Sequence, residues 1–144
     1  MKYVEAFNSL GYSIPNPRQD WSAEKDGRVC ITLWRKEIDW TPPPPSFDLW
    51  SLHTPGQTDW ENLRGHATRT RHIKRAASKL PLKVDMIIVG GVPSEGYKTA
   101  DPWLPDDYNG YGWFITKFDE VTGYFSAVVA KLSEARTLQE PEDD

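Results

Sequence analysis

The run Thr41-Pro42-Pro43-Pro44-Pro45 constrains the fold of this chain more than any other stretch. Proline lacks an amide hydrogen and fixes φ, so this tract can be neither helix nor inner strand. It is expected to be an extended, stiff spacer in the polyproline conformation. Its functional reading is a ligand for a partner's aromatic groove. Regular structure has to be sought on either side of it.

On the N-terminal side, Val4, Phe7 and Leu10 recur at helical spacing and Gly11 stops the run. This predicts a short helix from Tyr3 to Leu10. After the loop IPNPRQ comes DWSAEKDGRVCITLW. Asp26-Gly27 predicts a two-residue hairpin, since both central positions of a type I′ turn need positive φ. Beyond the turn, Val29, Ile31 and Leu33 fall on one face of a strand and Cys30, Thr32 and Trp34 on the other. Both faces are apolar, as expected of a central strand.

On the C-terminal side, SFDLWSL (Ser46 to Leu52) predicts a short strand. A long helix is expected from Thr58 to Lys79, capped by Thr58 or Asp59, with Glu61 in its first turn where the dipole favours an acid. Leu63, Ala67, Thr70, Ile73, Ala77 and Leu80 supply a stripe toward the core, and Pro81 ends the helix. VDMIIVGG reads as a buried strand stopped by Gly90-Gly91. VPSEGYKTADPWLPDDYNGYG reads as a long loop. WFITKF and YFSAVVAKL, separated by DEVTG, read as a second hairpin. The expectation is a single α+β domain over residues 1–133: an antiparallel or mixed sheet built from hairpins, with one long helix packed on a face and a short N-terminal helix. Residues 134–144 are expected to be an acidic, flexible tail.

Several classes of function find no support in these residues. The one cysteine, Cys30, forms no internal disulfide and no multi-cysteine zinc site. No apolar run approaches the roughly 18 residues of a membrane span, and MKYVEAFNSLGY lacks a signal-peptide core, so a cytoplasmic location is expected. His53, His66 and His72 form no HExxH motif, and His66 and His72 do not share a helix face. Gly90-Gly91 belongs to neither GxGxxG nor GxxxxGK. Asp106-Asp107 and Asp119-Glu120 can supply oxygen ligands to a hard cation, but adjacent acids in turns are more often solvent-facing. A metal-dependent nuclease needs several converging carboxylates; Asp85, Asp101 and Asp119 can be nominated, but no spacing selects them. No catalytic residue, metal or cofactor is expected.

Charge is distributed unevenly. From Trp60 to Lys83 the chain carries a formal +6, and the remainder −10, which together give the net −4. Arg64, Thr68, Arg71, Arg75 and Lys79 follow one another at intervals of three or four, and Arg69 and Lys74 lie beside them. Like charges at this spacing repel by a few tenths of a kcal/mol per pair. Such a stripe fits an anionic partner, and the planar fork of arginine suits phosphate. Arg64, Arg69, Arg71, Lys74, Arg75 and Lys79 are the candidate nucleic-acid contacts. The competing reading is that acids of the DPWLPDDY loop or of the tail neutralise the stripe from within.

A second cluster is aromatic. Tyr97, Trp103, Tyr108, Tyr111 and Trp113 lie among Asp101, Asp106 and Asp107. Tyr97, Trp103, Asp106, Asp107, Tyr108 and Tyr111 are candidate ligand or partner contacts. They suit a stacked base, a cation or a protein anchor. Alternatively, these rings cover the sheet edge and close the core.

The segments WSAEKDGRVCITLW, RTRHIKRA and FDEVTGYF resemble small domains of bacterial and phage restriction and anti-restriction proteins, some of which sit beside HNH nuclease modules. The likeness covers three short segments without a catalytic signature, and this chain has no HNH-type cluster. The resemblance implies a binding role rather than cleavage. One form is a nucleic-acid-binding module of a prokaryote or mobile element. An alternative is a phage or plasmid inhibitor docking on a host defence complex through the acidic aromatic loop, by charge complementarity. A small metal-dependent enzyme stands third.

Overall fold

Asp26 (φ 53°) and Gly27 (φ 79°) supply the two left-handed residues that a type I′ turn requires. They join β1 (Ser22–Lys25) to β2 (Arg28–Trp34), with Ser22 opposite Ile31 and Lys25 opposite Arg28. The structure is a computed structural model that describes residues 1–41 and 44–134. Pro42, Pro43 and the acidic stretch 135–144 therefore lie outside the described residues, as does much of the expected tail.

β2 runs parallel to β4 (Leu82–Val92), with Cys30 opposite Asp85 and Trp34 opposite Val89. The first residues of β4 pair antiparallel with β6 (Tyr111–Phe118), and its later residues with β5 (Gly96–Pro102). β6 pairs with β7 (Phe125–Lys131), and β7 with β3 (Ser46–Asp48). The result is an open, mixed seven-stranded sheet in the order β1-β2-β4-β6-β7-β3, with β5 attached to β4. The architecture is α+β.

Strand alternation feeds two cores on opposite faces of the sheet. Val29, Ile31, Leu33, Met86 and Ile88 join Ile73, Trp113 and Phe125 in one. Cys30, Ile87 and Val89 join Ala6, Phe7 and Tyr12 in the other. The first core is covered by α3 (Arg64–Ala76) and the second by α1 (Tyr3–Ser9). This explains why both faces of β2 are apolar. α1 turns Ala6 and Phe7 inward and leaves Val4 exposed, so its buried face differs from the expected one.

Three other expectations are corrected. Ser46 to Leu52 is not all strand: the Asp48 carboxylate accepts the Trp50 amide at 3.1 Å and starts a helical turn, α2 (Leu49–Leu52). The long loop after β4 contains β5, whose only buried residue is Ala100, so no apolar alternation announces it. The long helix starts later than expected. The Thr58 hydroxyl and the Gly56 amide both bond Glu61, and this closes a short 3₁₀ turn, Trp60–Asn62. Leu63 is then extended (φ −80°, ψ 148°) before α3 begins.

α3 is also rotated about a quarter turn from the expected orientation. Its inward residues are Gly65, His66, Thr68, Arg69 and Ile73, while Leu63 is 52% exposed and Ala67 faces solvent. Gly65 sets this rotation. A Cβ there would lie 2.4 Å from atoms of the Trp21 ring, so the helix approaches Trp21 through glycine.

Candidate nucleic-acid interface

With Arg69 at the centre of the inward face, the opposite face of α3 carries Arg64, Arg71, Lys74 and Arg75, all exposed. Lys79 lies exposed just past the helix end. The helix sequence RGHATRTRHIKRA contains no acid. Among the described residues, Arg64, Arg71, Lys74 and Lys79 form no ion pair; Arg75 alone of the outward bases does, with Glu24 of β1. Among the described residues, Asp101 and Asp107 of the aromatic loop form no ion pair with this face. Arg69 and Thr68 are not part of it: both are 7% exposed, turned inward by the rotation of the helix.

Arg69 instead anchors α3 to the sheet. Its guanidinium lies 5.1 Å from the ring centres of both Trp21 and Phe125. Nη2 donates to His66 Nδ1 at 3.3 Å, and Nε has no acceptor within the described protein. Among the described residues, no carboxylate comes within ion-pair distance of it. Burial lowers its pKa to about 10, opposed by the charge of Glu37. The aromatic faces supply the electrostatic compensation that a buried cation needs.

His66 completes this anchor. Its Nε2–H donates to the Thr122 carbonyl at 2.7 Å, which leaves Nδ1 as acceptor for Arg69. Trp60 packs edge-on against His66 at 5.1 Å and stacks on Tyr124 at 5.8 Å. The Tyr124 hydroxyl donates to Glu61 at 3.0 Å, and burial with this bond raises its pKa to about 12. The hairpin turn after β6, the 3₁₀ turn and α3 are thereby locked together.

On the other flank, the Ser22 hydroxyl is 2.8 Å from His72 Nδ1, and His72 Nε2 lies 4.0 Å from Glu24. With Nε2 turned to the carboxylate, the neutral ring keeps its proton there and accepts the Ser22 hydroxyl at Nδ1. Ser22, Glu24 and His72 are not marked out by sequence periodicity, because β1 is polar and short.

Both α3 histidines have lowered pKa values, chiefly through burial. Between the folded value and the ordinary value near 6.5, the unfolded chain binds more protons than the folded one. Their contribution to stability is therefore complete above about pH 6.5 and lost as pH falls below it, by up to about 1.4 kcal/mol per pH unit for each histidine. Urea midpoints measured from pH 8 to pH 5 should fall in the acid half of that range. His72→Gln should flatten the decline, and an unchanged slope would show that His72 does not contribute to it.

The aromatic segment is divided by the fold. Tyr97 lies on β5, where its hydroxyl accepts the Tyr3 amide at 3.2 Å. Trp113 enters the core. Trp103 and Tyr108 stack face to face at 3.6 Å, and Trp103 Nε1 donates to the Tyr111 carbonyl at 3.4 Å. Beside this stack is a cleft of about 620 Å³, bordered by Pro44, Pro45, Asp107, Tyr108, Tyr111 and Lys131. The proline tract and the aromatic loop, distant in sequence, thus share one wall. The Asp106 side chain lies outside the described residues.

Among the described residues, no three His, Cys, Asp or Glu side chains converge as metal ligands, and no helix is long and apolar enough to cross a membrane. No family model matches the chain, and no curated protein or solved structure is significantly similar to it.

Proposed function

We propose that the protein is a non-catalytic nucleic-acid-binding module that grips the phosphate backbone with the outward face of α3. One observation carries the reading: Arg64, Arg71, Lys74 and Lys79 are exposed on and just beyond one helix, and no described acid pairs with them. Their guanidinium and ammonium groups, unpaired among the described residues, can donate charge-assisted bonds to phosphate oxygens. The rest of that face is Ala67 and Ser78, without the Asn or Gln side chains that read adenine edges. Contacts from these bases to phosphate position the duplex without reading its sequence. The net charge of −4 confines attraction to this face, within a Debye length of about 10 Å at 0.1 M salt.

The test is the salt dependence of binding to a mixed-sequence duplex. If the four bases each neutralise one phosphate, log K should fall against log salt with a slope of about −3.6. Arg71→Gln should weaken binding about fivefold on any sequence and reduce the slope by about 0.9. Absence of binding at low salt, or an Arg71→Gln variant with the wild-type slope, overturns the reading.

A second reading, supported by the cleft beside the Trp103–Tyr108 stack, is an inhibitor that docks on a host protein complex. Tyr108 is 43% exposed and Trp40 39% exposed, as aromatic anchors at protein interfaces are before docking. Retention of a protein complex after nuclease treatment, lost in Tyr108→Ala but kept in Arg71→Gln, separates this reading from the first.

A further inference from the structure

We propose that Arg75 and His72 form a phosphate subsite whose place is held, in the unbound protein, by the chain's own Glu24 carboxylate. The inference rests on the reading of α3 as a phosphate-binding helix. Glu24 lies on the edge strand β1 and reaches across to α3. It hydrogen-bonds the Arg75 guanidinium and lies 4.0 Å from His72 Nε2. Ser22, on the same strand, fixes the other ring nitrogen of His72 at 2.8 Å, so Nε2 is aimed at the anion position. A carboxylate between a guanidinium and an imidazole N–H occupies the place that a phosphate oxygen would take.

The charged neighbourhood favours an anion at this point. Arg71 and Arg75 of α3 act on His72 from the helix, while Glu24 and Asp20 act from the β1 side. Arg75 is largely exposed (63%) and Glu24 partly so (30%), so the pair is a surface one. Such pairs are weak, but a phosphodiester must still compete with this carboxylate for Arg75. A phosphodiester brings a full charge of its own and extends the row already formed by Arg64, Arg71 and Lys74. Glu24 is thus a competing anion within the chain, which keeps Arg75 ordered and keeps duplex phosphate from the subsite while the carboxylate is in place.

The experiment is a double-mutant cycle on Glu24 and Arg75, read as binding of a mixed-sequence duplex across a salt series. Glu24→Gln should tighten binding about tenfold and steepen the salt slope by about 0.9, the signature of one additional phosphate contact. Asp26→Asn is the control. It removes the same charge from the tip of the same hairpin, at a left-handed position that asparagine accepts, and should tighten binding no more than twofold. Arg75→Gln should weaken the wild type less than twofold but the Glu24→Gln protein about tenfold. The NMR titration of His72 provides a readout without nucleic acid: in Glu24→Gln its pKa should fall, because the carboxylate favours the charged ring.

Equal gains from Glu24→Gln and Asp26→Asn, or an additive cycle, overturn the subsite while leaving the α3 reading intact. Failure of both wild type and Glu24→Gln to bind duplex at low salt overturns both. Binding by Glu24→Gln but not by the wild type supports both, with Glu24 then a complete block.

Discussion

Gly65→Ala is expected to destabilise the protein by about 2–3 kcal/mol, and so to lower the melting temperature by about 8–12 °C. Helix propensity alone gives the opposite sign, since alanine is favoured over glycine in a helix interior by about 1 kcal/mol. The sign is decided by contact. The added Cβ would lie 2.4 Å from Trp21 Cδ2 and Cε2 and 2.5 Å from Cγ, which are ring atoms rather than the tip of a flexible chain. Trp21 has little room to retreat. Its ring lies 5.1 Å from the Arg69 guanidinium on one side and 6.3 Å from Trp60 on another. Ala67→Gly, two residues on and facing solvent, should also destabilise, by about 1 kcal/mol, through propensity alone. Opposite exchanges at neighbouring positions would then both destabilise. Thermal unfolding of the two variants settles the matter. A Gly65→Ala protein more stable than wild type would mean that α3 does not approach Trp21 through this residue.

The same contact shows where the sequence is readable and where it is not. Local rules located the Asp26-Gly27 turn, the two faces of β2 and the β6–β7 hairpin. In each, the determinant is backbone chemistry or alternation over a few residues. The face of α3 is not legible in the sequence, because apolar periodicity assumes that apolar residues point inward. Here the inward centre is an arginine, made tolerable by two aromatic rings that come from β7 and the residue before β1. Such compensation is tertiary and leaves no periodic mark. β5 is illegible for a related reason: it buries Ala100 alone, and its other residues stay wet or nearly so. Of the candidate interface, Arg64, Arg71, Lys74, Arg75 and Lys79 were legible as a basic stripe, since exposure of Lys and Arg is the usual outcome. The role of Glu24 was not. Its pairing with Arg75 spans 51 residues and depends on β1 lying beside α3.

Substitutions of Arg69 should rank in an order that charge alone does not predict. Arg69→Ala should cost about 3–4 kcal/mol. It opens a cavity between Trp21 and Phe125 and takes the hydrogen-bond donor from buried His66 Nδ1. Arg69→Lys keeps the charge but should still cost about 2–3 kcal/mol, because a compact, strongly hydrated ammonium cannot stack as the planar guanidinium does. Arg69→Met should be the mildest, within about 1 kcal/mol of wild type. It fills a similar volume, offers sulfur to the rings and removes a buried charge that has no carboxylate partner within ion-pair distance among the described residues. Denaturant midpoints give the order directly. Lysine tolerated better than methionine would show that the positive charge, rather than the flat stack, holds α3 in place. The same series separates the two faces of the helix. Arg69 is covered, so Arg69→Met should leave the salt slope of duplex binding unchanged, although it removes one positive charge, as Arg71→Gln does. Equal slope changes from the two variants would mean that Arg69 reaches phosphate after all, and that α3 can turn away from Trp21 to release it.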